Sequence, residues 1–269
     1  MDFIDTHCHI QSIESNSGDS TTSLWAKSKV TIKEVIANAQ KEGVKTLITV
    51  GCTLEDSLEA INLSSKQSNI YSSVGIHPHE ANSFLKIKNS KIQFEKLLNQ
   101  KKVVAIGECG LDYFYNHSDH DAQKEVLMFQ IEMAIKYNLP LIFHVRQAFD
   151  DFWPILDRFR EELRAILHSF TDNFDNLNKA LTRNFLIGVN GISTFTKDQD
   201  QTMLFKAIPL NSLVLETDSP YLTPNPFRGK INEPKNIRII ADYLAELRGE
   251  HLAEIAFKTT DNARRFFGV

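Results

Sequence analysis

The chain has 269 residues, close to the ~250 of a single (β/α)8 barrel and enough to bury roughly three quarters of its unfolded surface. Hydrophobic residues at 42% and charged residues at 24% exclude a disordered tail protein. A net charge of −4 excludes a global positive field, so a polyanionic substrate has to be met by local arginines or bound cations. The three cysteines, Cys8, Cys52 and Cys109, imply no disulfide framework. No apolar run approaches the ~18 residues of a membrane span, and the start lacks a basic segment before an apolar one. A cytoplasmic protein without membrane association is expected.

Short apolar runs predict eight strands: Phe3–Thr6, Thr46–Gly51, Ile70–Ile76, Val103–Gly107, Leu141–Val145, Ala165–Leu167, Phe185–Val189 and Leu213–Thr217. Their hydrophobicity is continuous rather than alternating, as in parallel strands covered on both faces by helices. Amphipathic stretches lie between them. Ile32, Val35, Ile36 and Ala39 share a face ended by Gly43. Leu127, Ile131, Ala134 and Ile135 precede Asn138 and Pro140, and Phe174, Leu177 and Leu181 form a third apolar side. Two more helices close the chain, one from Ile237 to Leu247 before Gly249 and one from Leu252 to Phe266. The polar stretch Gln11–Ser23 predicts a long loop after the first strand. Eight units average about 34 residues, near the ~30 of a βαβ unit. With no linker or composition shift, this rhythm predicts one α/β domain over residues 1–269, a (β/α)8 TIM barrel. A doubly wound open sheet is the fold alternative.

Nine histidines are present. His117, His120 and His251 sit in polar surroundings and are expected at the surface. The other six lie at or just beyond predicted strand C-termini, which in a barrel all open onto one mouth. In Asp5-Thr6-His7-Cys8-His9, alternation puts His7 and His9 on one side and Cys8 on the other, a natural pair of ligands for a divalent metal. Cys8 is expected to be a buried small hydrophobe. Glu108 follows Val103-Val104-Ala105-Ile106-Gly107, where burial requires positive compensation from a metal or an arginine. Its two oxygens suit a bridge between two metals. The roles of Asp112 and Tyr113 beyond it are open.

His144 and Arg146 share a side of the fifth strand, pairing a ligand with a planar cation suited to phosphate. A lone histidine such as His168 is more often a hydrogen-bonded core residue, and it gains a ligand role only from the company it keeps. Glu216 and Asp218 share a face at the eighth strand. Asp218, further along, is the expected ligand and Glu216 a helper below it. Pro220–Pro226 reads as a rigid loop ending in Arg228-Gly229-Lys230, a basic step for a phosphate or a solvated charge pair. Asn232-Glu233-Pro234 is expected to cap the next helix. His77 is open between substrate contact, support and ligation, with His79 less favoured. No Gly-rich phosphate loop, Cys-x-x-Cys pair or Gly-x-Ser-x-Gly elbow occurs, which excludes P-loop hydrolysis and serine-type acyl transfer.

Taken in order, Asp-Thr-His-Cys-His, Gly-Ile-His-Pro-His, Gly-Glu-Cys-Gly-Leu-Asp-Tyr, His-Val-Arg, His-Ser-Phe and Glu-Thr-Asp-Ser-Pro-Tyr-Leu resemble the TatD family of metal-dependent deoxyribonucleases. That family lies within the amidohydrolase-type barrels. The resemblance runs from Asp5 to Phe267. It implies two divalent metal ions per chain (Mg²⁺, Mn²⁺ or Zn²⁺), one on His7, His9, Glu108 and Asp218, the other on Glu108, His144 and His168. It also implies DNA as substrate, with 3′-to-5′ exonuclease action the expected mode. Glu108 and Asp218 are the expected catalytic carboxylates, with Asp218 orienting or deprotonating water. His77, Arg146 and Arg228 are the expected substrate contacts. Monomer is the default, and no protein partner is indicated. The alternative is an amidohydrolase-type enzyme acting on a small amide, lactone or phosphoester, whose relatives often carry a ligating lysine where Glu108 stands. Two places depart from the family pattern, Asp172 for a usual glycine and Gly188-Val189-Asn190-Gly191, where a serine or phenylalanine is commoner near Asn190. Both bear on the groove's shape.

Overall fold

The computed structural model describes residues 1–15, 17–159 and 161–269. Its strands are β1 (Phe3–Cys8), β2 (Val44–Thr49), β3 (Ile70–Val74), β4 (Val103–Asp112), β5 (Leu141–Arg146), β6 (Ala165–Leu167), β7 (Leu186–Val189) and β8 (Leu213–Leu215). All neighbours pair in parallel and in strict chain order from β1 to β8. That order excludes the doubly wound alternative, in which the strand order reverses near the middle of the sheet. The first and last strands meet through a parallel bridge between Cys8 and Ser219. Asp218 N–H donates to His7 O at 2.8 Å, and His9 N–H donates to Ser219 O at 2.9 Å. The sheet is thus a nearly closed (β/α)8 barrel.

Interior and exterior cores are distinct. Ile4, Ile48, Ala105, Ile142, Ile166 and Val214 form an inner cluster with Phe266 and Phe267 of the C-terminal helix Leu252–Phe267. That helix covers the barrel's N-terminal end. Thr260 Oγ1 donates to Asp2 O and Asn262 Nδ2 to Leu213 O, at the starts of β1 and β8. A larger cluster lies between the sheet and the surrounding helices. The predicted helices appear with their boundary signals: Ile32–Lys41 opens on a Thr31/Glu34 capping box. His120–Tyr137 stops at Asn138 and Ile237–Arg248 at Gly249, both with left-handed backbone.

Three local expectations are corrected. Gln11–Ser23 is not a plain loop: a 3-10 turn spans Ile10–Ile13 and a helix spans Ser20–Ser28, with Asn16 outside the described residues. Asp19 caps that helix by accepting from Thr22 N–H, and buried Trp25 donates from Nε1 to His9 O. Strand β4 runs on to Asp112, while β3 and β8 stop at Val74 and Leu215. Within Asn232-Glu233-Pro234 the N-cap position falls to Glu233, ahead of the 3-10 turn Pro234–Asn236 that runs into the helix Ile237–Arg248, and not to Asn232. Its Nδ2 instead donates to Thr217 O and Tyr221 O, pinning the proline-rich loop to the barrel. No helix among the described residues is long and apolar enough to cross a membrane.

Candidate metal centre

The end of β1 is fixed from behind before its histidines reach the mouth. Asp5 is fully buried, and its Oδ1 accepts from His7 N–H at 3.2 Å and Thr217 N–H at 2.9 Å. Burial pushes its carboxyl up to about 8, and these bonds and the Thr217 hydroxyl oppose that rise. One side chain therefore ties the first strand to the last. Beyond it, His7 and His9 turn to the same side, with Nε2 atoms 3.3 Å apart. The other nitrogen of His9, Nδ1, lies 3.0 Å from Val50 O and donates there, which leaves the Nε2 lone pair facing the centre. His9 Nε2 is 3.4 Å from Asp218 Oδ1. Burial depresses the basicity of His9, but the bond to Asp218 outweighs it and the pKa rises to about 9. Cys8 is buried and points away, its thiol toward Ile48 O.

Glu108 stands at the middle of the cluster. A register shift between Ile106 and Cys109 breaks the simple alternation of β4 where this carboxylate enters the mouth. Close packing against β5 requires glycine nearby: at Gly110, φ is +150°, and a Cβ would lie 1.8 Å from His144 O. The two carboxylate oxygens divide their neighbours. Oε2 is 3.3 Å from His7 Nε2. Oε1 is 2.9 Å from His144 Nδ1, 3.7 Å from His77 Nε2 and 3.8 Å from His168 Nε2. Burial alone would raise the Glu108 pKa, yet the surrounding imidazoles hold it well below the carboxylate range.

Asp112 resolves a position whose role the sequence left open. Its Oδ2 faces His144 Nε2 at 2.9 Å and His79 Nε2 at 3.1 Å. Its Oδ1 accepts from Phe114 N–H at 2.9 Å and Tyr115 N–H at 3.1 Å. One buried carboxylate thus orients two rings and folds the chain leaving β4. Against the pull of burial, Asp112 and Glu108 together raise His144 to about 9. Alternation offered a signal here, because Glu108 and Asp112 are four apart on one strand.

His168 lies over His7, ring centroids 3.6 Å apart, with Nδ1 at 2.9 Å from Glu216 Oε1. This carboxylate–imidazole pairing directs Nε2 toward Glu108 and Asp218. Burial opposes protonation of His168, but the field of Glu216 prevails and lifts it to about 10. Glu216 itself also accepts from Ser169 N–H at 2.7 Å and Asn190 Nδ2 at 3.3 Å. It fits there because residue 188 is glycine: a Cβ would stand 2.3 Å from Glu216 Oε2. Asn190, one of the two departures from the family pattern, therefore supports the support. The other, Asp172, bonds Asn173 N–H and Asn176 Nδ2 at a helix start.

The two arginines sit on the rim. The Arg146 guanidinium lies 4.0 Å over the Phe114 ring and 4.8 Å from that of Tyr115. Arg228 lies 3.8 Å over Phe195 and donates from Nη1 to Thr223 O. His117, His120 and His251 are exposed.

Donor chemistry and spacing fit divalent cations. Ligands on a tetrahedron of ~2.1 Å radius stand about 3.4 Å apart, and His7 Nε2 lies 3.3 Å from His9 Nε2, 3.3 Å from Glu108 Oε2 and 3.8 Å from Asp218 Oδ1, with His9 Nε2 3.4 Å from Asp218 Oδ1. Potential donor groups include His7–His9–Asp218, His7–Glu108–His168 and His77–Glu108–His144. His144 is thus grouped with His77, and His168 with His7, all through Glu108. A group of His9, Cys52 and Glu108 also has suitable distances, but the His9 nitrogen facing Cys52 Sγ, at 4.0 Å, is Nδ1, which donates to Val50 O. Among the described residues, the ion pairs of Glu108, Asp112, Asp218 and Glu216 are all with histidines. Such a carboxylate-rich, buried set is suited to cationic occupants.

Comparison with known proteins points the same way. The family described as TatD related DNase matches residues 4–268. An uncharacterized metal-dependent hydrolase of Buchnera aphidicola is 34% identical, covering 100% of both chains. A Shigella flexneri protein named 3'-5' ssDNA/RNA exonuclease TatD is 32% identical over 93% of this chain and 96% of its own. The crystal structure of YjjV, a TatD homolog from Escherichia coli K12, superposes with a TM-score of 0.85 at 28% identity, covering 99% of this chain and 98% of the other.

Proposed function

The chain belongs to the TatD related DNase family of metal-dependent hydrolases, and from that membership we propose that it cleaves DNA phosphodiester bonds by a two-metal mechanism, as a 3′-to-5′ exonuclease. The observation that carries this reading is the division of Glu108, one oxygen toward His7 and the other toward His144 and His168. His7, His9, Glu108 and Asp218 would hold one ion, and Glu108, His144 and His168 the second. Divalent ions held there would lower the pKa of a bound water and would stabilise charge developing on a phosphoryl group, the latter by several kcal/mol.

The protein's own groups do the rest. Asp218 orients the attacking water and accepts its proton, as a carboxylate held below its ordinary pKa by the His9 bond despite burial. Asp112 and Glu216 fix the rings of His144 and His168 from outside. Arg146 and Arg228 place cations at the rim for the phosphates of an incoming strand, supplying the local positive charge an acidic protein needs. His77, partly buried and kept neutral mainly by desolvation, faces Glu108 from the loop after the third strand and contacts the scissile phosphate as a donor.

End-labelled single- and double-stranded DNA, incubated after chelation and after repletion with Mg²⁺, Mn²⁺ or Zn²⁺, tests this directly. The expected result is metal-dependent, stepwise loss of nucleotides from the 3′ end. Internal cuts would overturn the exonuclease mode. Hydrolysis of small esters without any DNA cleavage would overturn the nuclease reading.

A further inference from the structure

Phe114 and Tyr115 stand out among the aromatic residues at the mouth. They are adjacent, 46% and 49% exposed, and packed edge to face with centroids 4.6 Å apart. Most rings of such size gain by burial, and isolated exposed ones need no explanation. This pair is different because it is held in place. Both backbone N–H groups donate to Asp112 Oδ1, whose other oxygen faces His144 and His79. The same carboxylate therefore sets the rings at the rim and a histidine beside Glu108. The Arg146 guanidinium carbon lies 4.0 Å over the Phe114 ring, so that ring steadies the guanidinium and is covered by it on one side. Tyr115 has Arg146 4.8 Å from its ring centre, His117 stacked at 5.7 Å and His79 edge to face at 5.6 Å, and about half of it stays exposed to solvent.

Resting on the phosphodiesterase reading above, we propose that this corner is a nucleotide subsite for single-stranded nucleic acid, in which Tyr115 stacks a base and Arg146, steadied by Phe114, grips the adjoining phosphate. A planar ring beside a planar cation matches the alternation of base and phosphate along one strand. Bases in a duplex present edges rather than faces, so a stacking ring selects unpaired nucleotides. Continuity with the buried cluster through Asp112 places the subsite beside the hydrolytic centre.

The test is a binding titration of wild type, Tyr115→Ala and Tyr115→Phe, with divalent metal present. The probes are phosphorothioate-linked single-stranded oligomers that resist cleavage, carrying either normal or abasic nucleotides at the 3′ end. Tyr115→Ala is expected to weaken the base-bearing oligomer about 5- to 100-fold while leaving the abasic one unaffected, and Tyr115→Phe to retain the difference. Equal losses on both oligomers, or no loss on either, overturn the subsite. Cleavage of the normally linked oligomer is scored separately. Base-dependent binding without cleavage would sink the hydrolytic reading and leave the subsite standing.

Discussion

The two ends of this barrel are built from the same eight strands under opposite rules. At the N-terminal end, Ile4, Ile142, Ile166 and Val214 meet Phe266 and Phe267, and shape and volume decide the fit. At the C-terminal end, Asp5, His7, Glu108, Asp112, His168 and Glu216 are nearly as buried, but each is ionisable. Packing there is organised by hydrogen bonds from behind: Asp5 to β8, Val50 to His9, Asp112 to His144 and Glu216 to His168. One end is filled by apolar packing, while the other holds charges that burial penalises.

Substitutions at the two ends should therefore separate stability from chemistry. Glu108→Gln removes the carboxylate shared between the donor groups. Metal stoichiometry by elemental analysis should fall together with hydrolysis, the latter by about 10³-fold or more; wild-type rates would break the central assignment. Ile142→Ala, at the filled end, should cost about 2–5 kcal/mol in denaturant unfolding, while the folded fraction keeps its metal content. Glu216→Gln leaves every proposed ligand in place but loosens His168, with an expected 10- to 100-fold loss of metal affinity at about unchanged stability. Smallest is Arg146→Ala, exposed on the rim. It should raise the KM for DNA about tenfold or less while metal content stays normal. If metal were lost there too, the division between rim and centre would need redrawing.

Strand centres were legible because each is a short apolar run, and the mouth was legible because six histidines fall just after such runs. Less legible were the strand ends, where polar residues carry the ladder. β4 continues through Glu108 and Asp112 only because Gly107 and Gly110 admit β5 so closely. β8 stops at Leu215, and the next residues turn to bond Asp5. The supporting bonds were hidden for a different reason. Glu216 could be named a helper from alternation, but its dependence on Gly188 and Asn190 crosses from one strand to the next, and spacing within a strand carries no such information. Likewise the helix after Gln11 was obscured by its serines and threonines, although Asp19 and Trp25 mark its cap and anchor.

The seam between β1 and β8 has a consequence for biosynthesis. Asp5 and Thr217, which join there, are 212 positions apart in sequence. His7 and His9 leave the ribosome early, yet their carboxylate neighbour Asp218 emerges only after every other strand has been made. No nascent fragment ending before β8 can assemble the full donor set, so competence for cation capture is acquired in a final, long-range closure of the chain.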